Sequence, residues 1–214
     1  MKTKMIQLEK LAPSPTLNTV LMVEKTLENM NESVFSVADI RTLCGVTNVA
    51  ANFLVQRYAK KGFIIRLKKG LYAFPNALPS DLTLANALYG PSYVSLEFAL
   101  AYHGVIPDVV YEITSVTTKA TRRFAVTAIG KVFSYRKIKK SAYTGYTLQQ
   151  AHGSRFHIAD AEKALVDAQY LRLCARQQPL ARFRTEKINR ARALRYAALF
   201  GNRALVGVLK ATLT

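Results

Sequence analysis

Asn48, Asn52 and Gln56 recur at four-residue spacing in a run whose other side carries Ala51, Leu54 or Val55, and Tyr58. On a helix that spacing lines the three amides along one face, away from the apolar stripe. A side-chain amide pairs bidentately with adenine N6 and N7 in the major groove, so the chemistry on offer is base reading. Thr47 stands at the head of the same run. Arg57, Lys60, Lys61, Arg66, Lys68 and Lys69 follow with no acid between them. Interleaved carboxylates would mark an ordinary solvated surface; their absence points to phosphate. Six phosphate contacts would give a log–log salt slope of about −5. Phe53 lies near the amides, and two uses compete for it: contact with a thymine methyl, or packing against a preceding helix, which is the preferred reading.

These groups need a scaffold, and the local sequence supplies one. Residues 39–45 read as a short helix closing on Gly45, whose left-handed backbone suits a tight turn. Thr47 then caps a second helix that stops at Lys60-Lys61-Gly62. Two apolar runs, 63–67 and 71–74, flank Lys68-Lys69-Gly70 and read as a β-hairpin with a basic tip. Val34-Phe35-Ser36 reads as a short strand pairing with that hairpin, with Ser36 capping the helix that follows. Residues 16–30, with Leu17, Val20, Leu21, Leu27 and Met30, read as a first helix. Helix, turn, helix and basic hairpin in that order describe a winged helix. In that arrangement the second helix enters the major groove and the hairpin follows the backbone or minor groove.

Composition bounds the rest. The chain has 214 residues, half of them apolar, and a formal net charge of +18. A field of that size favours a polyanionic partner. From 34 to 75 there are seven Lys/Arg against one acid, Asp39. No run approaches the ~18 apolar residues of a membrane span, and residues 1–11 lack the pattern of a secretory signal. Cys44 and Cys174 are read as reduced thiols in a cytoplasmic protein, Cys44 filling a small buried site.

The prolines in 75–81 divide the chain into a DNA-binding domain, 1–75, and a second domain, 76–214. The second reads as mixed α+β, so the fold class expected for the whole is α+β. Helices are expected at 82–88, 93–104, 157–172 and 185–200, and strands at 111–118, 123–129 and 131–138. Between 172 and 210 there are ten Lys/Arg and one acid, Glu186. Lys187, Arg190, Arg192 and Arg195 form a second basic surface there. Its use stays open between a nucleic-acid backbone, an acidic partner and plain solvation.

Catalysis finds little footing. His103, His152 and His157 lack metal-ligand spacing, and no Cys stands at a ligating interval from them. Asp160, Glu162 and Asp167 accompany Lys163, which favours ordinary ion pairs. Neither a phosphate-cradling glycine loop nor a Gly-x-Ser-x-Gly elbow is present. The expectation is no enzyme, no metal and no cofactor.

Four blocks in the second domain resemble the AbiEi-type antitoxins, the regulators of abortive-infection toxin–antitoxin pairs. They are YVSLEFALAYHGVIPD at 93–108, YEITSVTTKATRRF at 111–124, FSYRKI at 133–138 and HIADAEKALVDAQYL at 157–171. The stretch KGFIIRLKKGLYAF at 61–74 is similar to that family's N-terminal domain. The resemblance implies an N-terminal domain that binds the operon's own promoter as a repressor. It implies a second domain that counteracts a nucleotidyltransferase toxin. Two alternatives carry no toxin: a ligand-responsive or dimeric winged-helix regulator, and an RNA-binding protein using the C-terminal basic surface.

Overall fold

The computed structural model describes residues 22–26, 33–151 and 153–213. The chain divides into two compact units, 1–79 and 80–214. Of the helix expected at 16–30, only 22–26 is described; it is helical and buries Val23. His152 lies outside the described residues.

The first unit runs β1 (Val34–Ser36), α1 (Val37–Cys44), α2 (Asn48–Lys60), β2 (Ile65–Lys68) and β3 (Leu71–Ala73). Ser36 and Asp39 form a reciprocal cap that opens α1: the Ser36 side chain accepts from the Asp39 amide, and the Asp39 carboxylate accepts from the Ser36 amide. Each satisfies a donor that the first helical turn would otherwise leave bare. Ser36→Ala should cost about 1 kcal/mol in urea unfolding, and an unchanged midpoint would deny the cap that role. Gly45 closes α1 at φ 63°, the left-handed geometry that a side chain would oppose. Thr47 opens α2 by accepting from the Ala50 amide at 3.3 Å. The turn between β2 and β3 passes through Gly70 at φ 80°, and β1 pairs with the far side of β3, giving the sheet order β1-β3-β2. Between sheet and helices sits one core: Val23, Phe35, Ile40, Ala51, Val55, Tyr58, Ile64, Tyr72 and Phe74. Cys44 is half-buried at its margin, and burial pushes the thiol above the ordinary cysteine range.

The second unit is built on a six-stranded mixed sheet. Its strands are β4 (Ser92–Val94), β5 (Ile113–Thr117), β6 (Arg122–Val126), β7 (Lys131–Lys137), β8 (Tyr146–Ala151) and β9 (Ser154–Ala159), in the order β6-β7-β5-β4-β9-β8. Pairs β5/β7 and β4/β9 are parallel. The helices are α3 (Asp81–Leu88), α4 (Leu96–Tyr102), α5 (Ala161–Cys174), α6 (Arg190–Ala198) and α7 (Arg203–Thr212). The chain is therefore a mixed α+β protein.

Local boundaries depart from expectation where two structures share one apolar run. The helix expected at 93–104 begins as strand β4, and α4 starts only at Leu96. The helix expected at 157–172 starts at Ala161, because residues 157–159 pair as the end of β9. Asp160 accepts from the Lys163 amide at 2.7 Å and fixes the start. Similarly, Asn189 accepts from the Arg192 amide at 3.0 Å, so the helix expected at 185–200 becomes a short turn followed by α6.

Where β4, α4 and α5 converge, the interior is polar. Lys163 and Asp167 are fully buried and form an ion pair with each other. The second Asp167 oxygen accepts from Ser95 Oγ at 2.8 Å and Tyr93 OH at 3.0 Å. The Lys163 ammonium also stands 4.8 Å over the Phe200 ring. Sequence alone placed Lys163 in an ordinary ion pair; the fold forms that pair with Asp167 and seals it in the core. Burial raises the Asp167 carboxyl above the usual range, and its bonds to Lys163, Ser95 and Tyr93 pull the other way. Nearby, Tyr196 OH donates to Asp160 at 2.6 Å and the Asn189 amide donates to Glu162 at 2.9 Å, which fastens α6 to α5.

Candidate nucleic-acid interface

Core packing of α2 through Ala51, Val55 and Tyr58 decides what it shows to solvent. Thr47, Asn48, Asn52, Gln56, Arg57 and Lys60 are exposed, as are Lys61, Arg66 and Lys69; Lys68 is half-buried at the end of β2. Asp39, the single acid within 34–75, is occupied by the cap of α1. Among the described residues no carboxylate pairs with Arg57, Lys60, Lys61, Arg66 or Lys69. These five cations are thus open to an external anion.

The amides differ among themselves. Asn52 Nδ2 donates to the Asn48 carbonyl at 2.8 Å, a bond within its own helix. That bond engages the Asn52 amide nitrogen, so bidentate pairing with a base requires breaking it. Thr47 is committed as a cap.

Phe53 corrects one expectation. It does not pack into the core: it is 65% exposed, and Val49 one turn earlier is 66% exposed. At about 100° per residue, Val49, Phe53, Gln56 and Lys60 fall within an arc of roughly 60°. Asn52 and Arg57 lie about 40° beyond its two edges, and Asn48 about 80° beyond, towards the side of Val55. The sequence held the signal, because Phe53 stands about 160° around the helix from both Ala51 and Val55.

The second basic surface is less open than its composition implies. Arg192 pairs with Glu162 at 3.5 Å and Asp160 at 3.7 Å, and Lys187 donates to the His103 carbonyl at 3.3 Å. Arg190 and Arg195 are exposed without an ion pair among the described residues. Half of the expected surface is therefore engaged in holding the C-terminal helices.

Elsewhere in the second unit, α3 and the β8/β9 hairpin border a cavity of about 540 Å³. Tyr143, Tyr146, Arg155 and His157 line it, and among the described residues no acid does. His103, at the end of α4, bonds the Ala159 carbonyl at 2.8 Å through Nε2. Among the described residues, no helix is long and apolar enough to cross a membrane.

No family profile and no curated protein matches the chain. A solved structure does resemble it. The crystal structure of the RV2827C protein from Mycobacterium tuberculosis superposes with a TM-score of 0.54 at 14% identity, covering 91% of this chain and 81% of that one. At that identity the likeness concerns the fold alone, and it supports the mixed α+β architecture.

Proposed function

We propose that the first unit is a winged helix-turn-helix that grips duplex DNA, with α2 in the major groove and the β2/β3 hairpin as its wing. One observation carries this: five exposed cations around α2 and the hairpin have no carboxylate partner, beside a helix face that offers amides outward. Phosphates would fix register through Arg57, Lys60, Lys61, Arg66, Lys68 and Lys69. Gln56, Asn52 and Asn48 would meet base edges. By its resemblance to the AbiEi-type antitoxins, the protein represses its own promoter and counteracts a nucleotidyltransferase toxin.

Binding to the duplex upstream of its own reading frame tests the DNA reading. The log–log salt slope should be about −5, and Asn52→Ala should relax preference at one base position with a discrimination loss of about 1–3 kcal/mol. A salt-independent association would end it. The antitoxin reading is tested by expressing the neighbouring reading frame with and without this chain. Growth arrest by a nucleotidyltransferase, relieved by this protein, is expected; arrest without relief refutes it.

The cavity favours a second reading, a ligand-responsive regulator. Aromatic walls with Arg155 and His157 suit a small aromatic anion. Nucleoside monophosphates should then raise the melting temperature of wild type and leave Arg155→Ala unmoved.

A further inference from the structure

The exposed centre of α2 is apolar, and an unpaired apolar face amid cations is unusual on a soluble surface. Val49 and Phe53 stand one turn apart, each about two-thirds exposed, on the face that continues into Gln56 and Lys60. Lys60 shares that face and Arg57 lies about 40° from Phe53 around the helix, while Lys61, Arg66 and Lys69 are exposed in the segments that follow. The occupant of this face must therefore be apolar at its middle and polyanionic at its edges. A second copy of this chain fails the second condition, because it would bring the same positive field. An RNA duplex fails the first. Uracil lacks the 5-methyl group, and the A-form major groove is too deep and narrow for side chains to read. A B-form DNA major groove satisfies both wherever thymine projects its methyl group between two phosphate rows.

Resting on the DNA reading above, we infer that Val49 and Phe53 read thymine methyl groups, and that they, rather than Asn48 and Asn52, hold the centre of the recognition surface. The asparagines sit on the flank of the helix, where Asn52 is already bonded to the Asn48 carbonyl. The half-site is then specified by methyl contacts at its middle, with amide contact at its edge. The same chemistry makes the protein discriminate thymine from uracil, and so DNA from RNA.

The test uses the full chain and the duplex upstream of its own reading frame, prepared once with thymine and once with uracil throughout. Wild type should bind the thymine duplex about fourfold more tightly for each methyl contacted, the worth of one buried methyl group. In Phe53→Ala and Val49→Ala that preference should shrink, and Phe53→Leu should recover part of it. Both side chains are exposed, so the variants should melt with wild type. Equal binding of the two duplexes by wild type, with the salt slope intact, overturns the methyl reading and leaves the DNA reading standing. A preference undiminished in both alanine variants overturns it as well. Loss of self-association in Phe53→Ala, read by sedimentation, would assign the face to a second copy instead. Absence of any salt-dependent binding removes the DNA reading and this inference with it.

Discussion

Asp167→Ala should destabilise the protein by about 3–5 kcal/mol, the cost of stranding one member of a buried ion pair. The substitution leaves the Lys163 ammonium without its counter-charge and the hydroxyls of Tyr93 and Ser95 without their acceptor. The unfolding midpoint of the second unit should fall by roughly ten degrees. Lys163→Met should be milder, because Asp167 keeps two hydroxyl donors and can take up a proton. With the ammonium gone, burial outweighs the bonds from Ser95 and Tyr93, and the folded carboxyl lies above its unfolded value. Its stabilising contribution is then present below the unfolded pKa and lost as pH rises through the folded one. Lys163→Met should thus be more stable in mild acid than at neutral pH. Replacing both residues with apolar ones should recover only part of the loss, since Tyr93 and Ser95 remain unpaired. If Asp167→Ala melts with wild type, the pair contributes nothing to the fold.

The second large effect is on binding. Replacing Arg57, Lys60, Lys61, Arg66 and Lys69 together with alanine should lower affinity for duplex DNA about a thousandfold or more at 50 mM salt. The log–log slope should flatten from about −5 towards −1, with Lys68 remaining. All five side chains are exposed and outside the described ion pairs, so the folded state should be kept. Its stability should rise slightly as like-charge repulsion is relieved. A slope that stays steep would move the phosphate contacts to another surface, and Arg190→Ala/Arg195→Ala would then be the variant to measure.

The first unit was legible because its signals are local. Ser36 and Asp39, Gly45, Thr47 and Gly70 each act within three or four residues, and each marks an element boundary in the structure. In the second unit, boundaries depend on partners far away in sequence. Residues 157–159 carry helix-compatible side chains, yet they pair with β8, and Ile158 also pairs with Val94 some sixty positions away. The hairpin of β8 and β9 escaped notice altogether, since its exposed strand shows only weak alternation. Lys163 shows the same limit: nothing within four residues announces that an ammonium will be buried, except Asp167 itself. Two of the resemblance blocks, 93–108 and 157–171, meet at that pair, so the motif marks a tertiary contact of this fold. At the candidate interface the residue types were legible, but the centre of the face was not. Asn48 and Asn52 drew attention by their chemistry, whereas the rotation of α2 on its core places Val49 and Phe53 outermost.

One consequence follows from where the carboxylates have gone. Asp39, Asp81, Glu97, Glu112, Asp160, Glu162 and Asp167 each hold an internal partner. These seven carboxylates, engaged within the fold, are less available to a basic neighbour than free surface acids would be. On the DNA reading, ionic strength then acts in two opposite senses: it would loosen the hold on a polyanion while lowering the barrier that keeps identical molecules apart.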